Sequence, residues 1–444
     1  MKRFLFLAAC GMMAVSIRAD ERPNIVWIVC EDQSRHYGCY GEPLVDTPAI
    51  DRLAAEGALF VNAAVTAPVC SPCRSALVTG MWQTSIGAHH HRSGRGAEKI
   101  HLPEHVRLIP EYFKEAGYYT CIGSLGQAVN PGRGGLGKTD YNFQWDSAVY
   151  DAGEWSGRAE GQPFFAQIML GGGKSRNSAR RDKSIPHVNA DDVVLPPYYP
   201  RHPVILEDWA AYLDTFTQMD RQVAQVLARL EKEGLAQNTV VFFMTDHGIS
   251  HARGKQFCYD EGMMIPLIVW APGRIEPGTV RRDLALQIDL AATSMHFAGI
   301  PIPDYLESRP LFGPDFQPRD YLVCARDRCD ETYDRIRAVR DERFKYIRNG
   351  YPQRPHLQPN VYKDEKSICK ALREWHAAGK LDALQERILF SPQRAEEELY
   401  DLASDPWELN NLAGDPAYAA PLARMRQILD RWIEETGDRG QQVE

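Results

Sequence analysis

Two polar pairs and one cysteine-led segment carry the chemistry available to this chain. Glu31-Asp32 directly follows the apolar run NIVWIVC (24–30), and Asp246-His247 directly follows TVVFFMT (239–245). Hard oxygen ligands of this kind suit a divalent cation such as Ca2+ or Mg2+. Between the two pairs lies APVCSPCRSALVTG (67–80). In it, Ser71 is placed to cap a helix, Pro72 fits the first turn and Gly80 ends it. Cys70 then stands just outside the positive end of that helix, where unpaired backbone N–H groups favour an anion. Arg74 falls in the first turn, where a cation is disfavoured by roughly 0.3–1 kcal/mol. A charge in that place points to a bound anion as its partner. Taken singly, an acidic pair after a strand is a cap or a solvated turn, and the arginine is an exposed side chain. Taken together, the three features point to a centre that handles an anion beside a metal.

The elements that must position these residues alternate along the chain. NIVWIVC and TVVFFMT are near-continuous apolar runs, as expected of parallel strands covered on both faces, and PLIVWAP (266–272) is a third. TPAIDRLAAEG (47–57) reads as a helix capped by Thr47, with Pro48 first and Gly57 as its stop. Leu206, Trp209, Leu213, Phe216, Val223, Leu227 and Leu230 form one helical stripe over 206–230. The pattern predicts an α/β fold with a mostly parallel central sheet between helices. In such sheets ligands bind beyond the carboxyl ends of the strands, so both polar pairs should face one crevice. From about residue 315 the texture changes. DYLVCAR and FKYIRN are short strand-like runs, followed by charged helical segments near 364–388 and 417–436. The expected division is a catalytic domain over 20–315 and a smaller C-terminal α+β subdomain over 316–444.

Composition narrows the function classes. Of 444 residues, 44% are hydrophobic and 25% charged, the balance of a soluble globular protein. A net charge of −8 argues against a general nucleic-acid binder. GKSRNSARRDK (173–183) nevertheless makes a local basic stretch that could line a groove for a polyanion. Lys2 and Arg3 precede FLFLAACGMMAVSI, with Ala19 after it, which reads as a secretory signal peptide over 1–19. LAAC (7–10) resembles a lipoprotein box, but cleavage there would leave too short an apolar run before Cys10, so cleavage near Ala19 is favoured. No other apolar run approaches 18 residues. The expectation is an exported protein, periplasmic or secreted, with no stable membrane insertion. Of the ten cysteines, Cys10 falls in the leader. The odd number that remains hints at one reserved for chemistry.

The stretch from Cys70 to Gly80 resembles the signature of the formylglycine-dependent sulfatases, Cys-x-Pro-x-Arg followed by a short helix ending in Thr-Gly. Four further segments agree in order: PNIVWIVCEDQSRHYGCYG, VVFFMTDHG, RGKQFCYDEGMMIPLIVWAPG and ELYDLASDPWELNNLA (398–413). The resemblance covers nearly the whole chain after the leader. It implies an arylsulfatase-like type I enzyme with an alkaline phosphatase-like fold. A formylglycine-generating enzyme would oxidise Cys70 to formylglycine (3-oxoalanine). The hydrated aldehyde would attack sulfur and then expel sulfate by reforming. Glu31, Asp32, Asp246 and His247, with residue 70, would hold one Ca2+ ion. Arg74 would steady the formylglycine and the sulfate. Lys255 and Lys138 would bind sulfate oxygen or help protonate the leaving group.

The chain departs from the family pattern in several places. Asp140 in GKTDYNF stands where histidine is common, and MLGGGKSRN (169–177) lacks another expected histidine, with Lys174 and His187 nearby. Glu31 stands where aspartate is commoner, and Cys73 where serine is common. CSPC at a helix start also resembles a redox Cys-x-x-C motif, whose first thiol is activated. That reading lacks a small thioredoxin-like unit and leaves the acidic pairs unexplained. Phosphate and phosphonate hydrolases share the architecture and form a second alternative. A non-catalytic binder of sulfated glycans is the third. For the enzyme, the expected partner is a sulfated saccharide. His89 in AHHHRSGR (88–95), Lys174, and Arg326 in CARDRCDET (324–332) are its candidate contacts. A zinc site in AHHHRSGR is not expected, because consecutive histidines rarely converge on one metal.

Overall fold

The computed structural model describes residues 22–96, 99–130, 132 and 134–440, so the expected leader and Cys10 lie outside the described residues. The main sheet contains β1 (Asn24–Cys30), β2 (Ala58–Ala64), β3 (Tyr119–Ser124), β4 (Phe164–Met169), β5 (Thr239–Thr245), β6 (Leu267–Trp270) and β7 (Thr279–Leu286). Their order across the sheet is β3-β4-β1-β5-β6-β2-β7. All seven residues of β1 are buried, as are all seven of β5, which is what continuous apolar runs demand of a sheet's centre. Side chains of β1 alternate between two cores. Ile25, Trp27 and Val29 join one, and Val26, Ile28 and Cys30 the other. The second core is completed by the helix Pro203–Lys232, whose buried stripe includes Leu206, Trp209, Leu213, Phe216, Val223, Leu227 and Leu230.

β1 and β5 run parallel in register, from Asn24 beside Thr239 to Cys30 beside Thr245. The chain therefore leaves both strands at one edge, which sets Glu31-Asp32 next to Asp246-His247. The Asp246 N–H donates to the Cys30 carbonyl (2.9 Å), and the Asp32 N–H to Asp246 Oδ1 (3.1 Å). β6 differs from its two central neighbours by running antiparallel to both β5 and β2. The cause is its connection. Residues 246–266 hold only one short helix, Asp260–Met263, and stay at the end where β5 finished, so the chain enters β6 from that end.

A second, antiparallel sheet follows: β8 (Leu322–Arg326), β9 (Ile336–Arg340), β10 (Phe344–Asn349) and β11 (Glu397–Asp401), in the order β11-β10-β9-β8. The helix Ala419–Thr436 lays Leu422, Met425, Leu429 and Trp432 on it, and these share one continuous core with the main sheet. The helix expected near 364–388 is broken into Val361–Asp364, Ser367–Ala377 and a short turn from Ala383 onward. Gly379 at φ +62° ends the middle piece, and the Asp382 side chain caps the next by accepting from the Gln385 N–H. No described helix is long and apolar enough to cross a membrane.

Trp27 anchors the centre of the sheet. Its ring meets Phe165 edge-on at 5.0 Å, and its indole N–H donates to Ser294 Oγ at 2.8 Å. Trp27→Ala is expected to cost roughly 3–5 kcal/mol, seen as a fall of several degrees in the thermal unfolding temperature.

Candidate active site

The helix Cys70–Thr79 begins at Cys70 itself, two residues earlier than a cap at Ser71 would start it. Val69 is the extended cap residue and makes no side-chain cap. Ser71 is therefore inside the helix, and its hydroxyl instead accepts the Arg92 N–H at 2.8 Å. Pro72 still falls in the first turn, where no intrahelical N–H is required. Gly80, at φ +67°, closes the helix in the left-handed conformation.

Around Cys70 the two strand ends and this helix converge. Cys70 Sγ lies 3.0 Å from Lys255 Nζ, 3.2 Å from His247 Nε2 and 3.5 Å from Lys174 Nζ. Asp32 Oδ1 lies 3.2 Å from both Lys255 Nζ and His247 Nε2. Asp246 receives Arg74 at 3.1 Å and approaches His247 Nε2 at 3.6 Å. The ligand atoms of Asp32, Cys70, Asp246 and His247 all lie within 4.8 Å of one another. Two buried carboxylates converging with an imidazole nitrogen make a donor set that fits a hard divalent cation. The His247 Nδ1 contact with the Gly248 carbonyl (2.9 Å) leaves Nε2 turned to the donors.

Glu31, expected among the metal donors, is placed differently. Its carboxylate takes Arg74 at 2.9 Å, Lys138 at 2.6 Å and Lys174. Neighbouring residues at a strand end point to opposite sides. Asp32 in addition turns through φ +54°, so only Asp32 reaches His247. The loop after β4 closes over this turn. The Gly173 N–H donates to the Glu31 carbonyl at 2.7 Å. A Cβ at Gly172 would stand 2.1 Å from the Glu31 carbonyl oxygen, and one at Gly173 2.2 Å from that of Asp32. The triple glycine thus lets Lys174 approach the nucleophile. Arg74, whose charge opposes the helix dipole, is answered by Glu31 and Asp246.

The electrostatics follow from this packing. Burial pushes the Cys70 thiol up, but Lys255, Lys174 and His247 outweigh burial and Asp246 and bring it down to about 7. Burial likewise raises the Asp32 and Asp246 carboxyls. Lys255 and Lys174 beside Asp32, and His247 and Arg74 beside Asp246, pull both below the ordinary range. Other thiols shift the opposite way, Cys30 and Cys73 by burial above all. The nine described cysteines are all unpaired. Cys70 is set among carboxylates that a redox Cys-x-x-C pair leaves unexplained.

Several expected residues are engaged elsewhere. Arg326 is buried against Asp334 (2.8 Å) and Thr332 (3.1 Å) inside the small sheet. His89 packs on His90, ring centroids 4.4 Å apart, and burial lowers its pKa. His187 is held by Asp214 at 3.0 Å, and Asp140 by Arg95 at 3.0 Å. Two residues missed in the sequence are present instead. The Tyr362 O–H donates to Asp32 Oδ2 at 3.1 Å, across 330 positions of chain. Lys366 Nζ stands 4.5 Å from the Tyr362 ring centroid. A separate cavity of about 660 Å³, lined in part by Arg35, Tyr198, Trp209, Glu261 and Trp407, includes none of the residues around Cys70.

A family model described as Sulfatase matches residues 23–300, well over half of the chain. The chain belongs to the sulfatase family. This sulfatase, a sulfuric ester hydrolase, is 33% identical to an ulvan-active sulfatase of Formosa agariphila, over 96% of this chain and 77% of the relative. A solved 2-O GAG sulfatase is 21% identical with a TM-score of 0.65, over 94% of this chain and 93% of that one. A phosphonate monoester hydrolase from Silicibacter pomeroyi is 17% identical with the same TM-score, over 94% and 96%. The two solved structures show the fold, which is the alkaline phosphatase-like one.

The thiol's surroundings predict a reactivity profile for the sulfatase. With a chelator present and Cys70 kept as cysteine, its alkylation rate should rise between about pH 6 and about pH 8, with an inflection near about 7. Thiolate accumulates as pH rises, so the rate climbs in that direction. Lys255→Ala should move the inflection upward. A wild-type inflection at the ordinary 9.0 would contradict the electrostatic account.

Proposed function

We propose that this sulfatase releases sulfate from a sulfated saccharide, with residue 70, oxidised from cysteine to formylglycine, as the nucleophile. The observation that carries the reading is Cys70 Sγ at 3.0 Å from Lys255 and 3.2 Å from His247, inside a shell of two buried carboxylates. The support for a saccharide is the relatives' own names, an ulvan-active sulfatase and a 2-O GAG sulfatase. In this reading the chain is exported, and a formylglycine-generating enzyme converts Cys70 during maturation.

A Ca2+ ion held by Asp32, Asp246, His247 and residue 70 would supply positive charge that activates an oxygen nucleophile and clamps an anion. The chain's own residues do the rest. Lys255, fixed by Asp32, presents its ammonium to a sulfate oxygen at residue 70. Lys174 adds a second positive charge from the partly exposed side. Arg74 bridges Glu31 and Asp246, which holds the end of β1 to the end of β5. Lys138, on Glu31, stands where the family resemblance expects a lysine. Glu31 orients three cations.

The test uses chain co-produced with the maturation enzyme. Sulfate release is measured on a panel of sulfated oligosaccharides and an aryl sulfate, and the mass of the peptide containing residue 70 is read alongside. Cys70→Ala should lower turnover by at least about a thousandfold; undiminished turnover would remove the nucleophile from position 70. Ca2+ should raise the thermal unfolding temperature of the wild type. Asp246→Asn should abolish that rise, and an unchanged rise would dismiss Asp246 as a ligand. The shared fold of a phosphonate monoester hydrolase favours one second reading, so phosphate and phosphonate monoesters belong in the same panel.

A further inference from the structure

One ammonium group near the nucleophile sits within the field of Asp32 and Asp208 without pairing to either. Lys366 lies in the turn between the helices Val361–Asp364 and Ser367–Ala377. Among the described residues it makes no ion pair, and its Nζ rests on the Tyr362 ring. The same ring receives Lys255 Nζ at 4.8 Å, while its hydroxyl donates to Asp32. Tyr362 thus links Lys366 to the ammonium that flanks residue 70. The two ammonium groups are no farther apart than the sum of their distances to that ring, the reach of a sugar carrying two acid groups. Arg176 adds further positive charge. It is held by His251 at 3.0 Å, and its Nε, buried without a hydrogen bond, lies 3.9 Å from Asp208. Burial first, and Arg176 second, depress the Lys366 ammonium to about 8, against the opposing pull of Asp32 and Asp208. A partly desolvated cation with like charge beside it is unfavourable alone and is stabilised by an anion.

We propose that Lys366, Tyr362 and Arg176 form a second anion subsite, which takes a carboxylate or a further sulfate carried by the saccharide beside the sulfate being hydrolysed. The subsite rests on the reading of this protein as a saccharide sulfatase, and it names the substrate class: sugars with two neighbouring acid groups. The scissile sulfate meets Lys255 and Lys174, and the second acid meets Lys366. Both ammonium groups rest on the Tyr362 ring, which ties the two acid positions together.

Two measurements test the subsite. Turnover by the matured enzyme is compared on a sulfated disaccharide bearing a neighbouring carboxylate, on its carboxyl-reduced counterpart, and on a counterpart with a second sulfate. The wild type should prefer a doubly acidic substrate. Lys366→Ala should reduce that preference roughly 10- to 100-fold, mostly through KM, and Lys366→Arg should retain most of it. Whether the carboxylate or the second sulfate loses its advantage identifies the acid recognised. Calorimetric binding of the same saccharides to Cys70→Ala chain reads the subsite without turnover. There Lys366→Ala should weaken the doubly acidic ligand by a similar factor. An unchanged Kd, or an unchanged preference, overturns the subsite. Absence of sulfate release by the wild type, with the affinity loss intact, would instead overturn the sulfatase reading of these substrates and leave the subsite standing.

Discussion

Asp32 and Asp246 are almost wholly removed from water, with Glu31 close behind, and that burial governs the rest of this structure. An isolated buried carboxylate is costly enough to protonate or to unfold its surroundings. Here Arg74, Lys138, Lys174 and Lys255 are packed around the three acids. The cations come from separate parts of the chain. Arg74 rides on the helix after β2, Lys174 on the loop after β4, and Lys255 on the connection from β5 to β6. Each element is thus held in place partly by a charge that the others need. The same packing explains why the Cys70 thiol moves toward the physiological range while Cys30 and Cys73, equally buried but without a lysine at contact distance, move away from it.

Much of this centre was legible from local pattern. Runs apolar on both faces identified β1 and β5, and the rule that ligands gather at strand ends then brought Asp32 and Asp246 together. Periodicity carries no strand direction, however, so the reversal of β6 had to come from the path of residues 246–266. Capping preference pointed to Ser71, yet the extended backbone at Val69 started the helix two residues earlier and gave that hydroxyl to Arg92. Glu31 already departed from the family's aspartate in the sequence, and the left-handed turn at Asp32 sends it to the cations. Tyr362 and Lys366 were invisible, since nothing local in NVYKDEK records contact with a turn 330 positions away. The pairing of Arg326 with Asp334, in the connection from β8 to β9, was hidden too, because no periodicity records which way a side chain in a loop turns.

The small sheet is bound to the larger one by more than apolar packing. Asn360, just before the Tyr362 helix, approaches Thr332 at 3.4 Å and Gln256 at 3.5 Å. Gln256 in turn follows Lys255 and donates its N–H to the Pro68 carbonyl at 2.8 Å. A chain of contacts therefore runs from the turn after Cys329 through Asn360 to both the lysine and the segment entering the nucleophile's helix. Lys363 extends it, donating to the carbonyls of His251 and Ala252 at 3.0 Å. These bonds fix the height at which the tyrosine ring stands over Asp32.

The glycine cradle over the turn at Glu31 and Asp32 has a consequence for how this scaffold can vary. Gly172 and Gly173 abut carbonyl oxygens too closely to accept any side chain without displacing main chain. Past Lys174 the loop runs outward into a partly exposed helix, Arg176–Arg181, where only Ala179 is buried. Descendants of this sequence are therefore free to vary the exposed positions of that outer half, such as Asn177 and Arg181, while Arg176 stays tied to its partners and the inner half stays fixed by backbone contact.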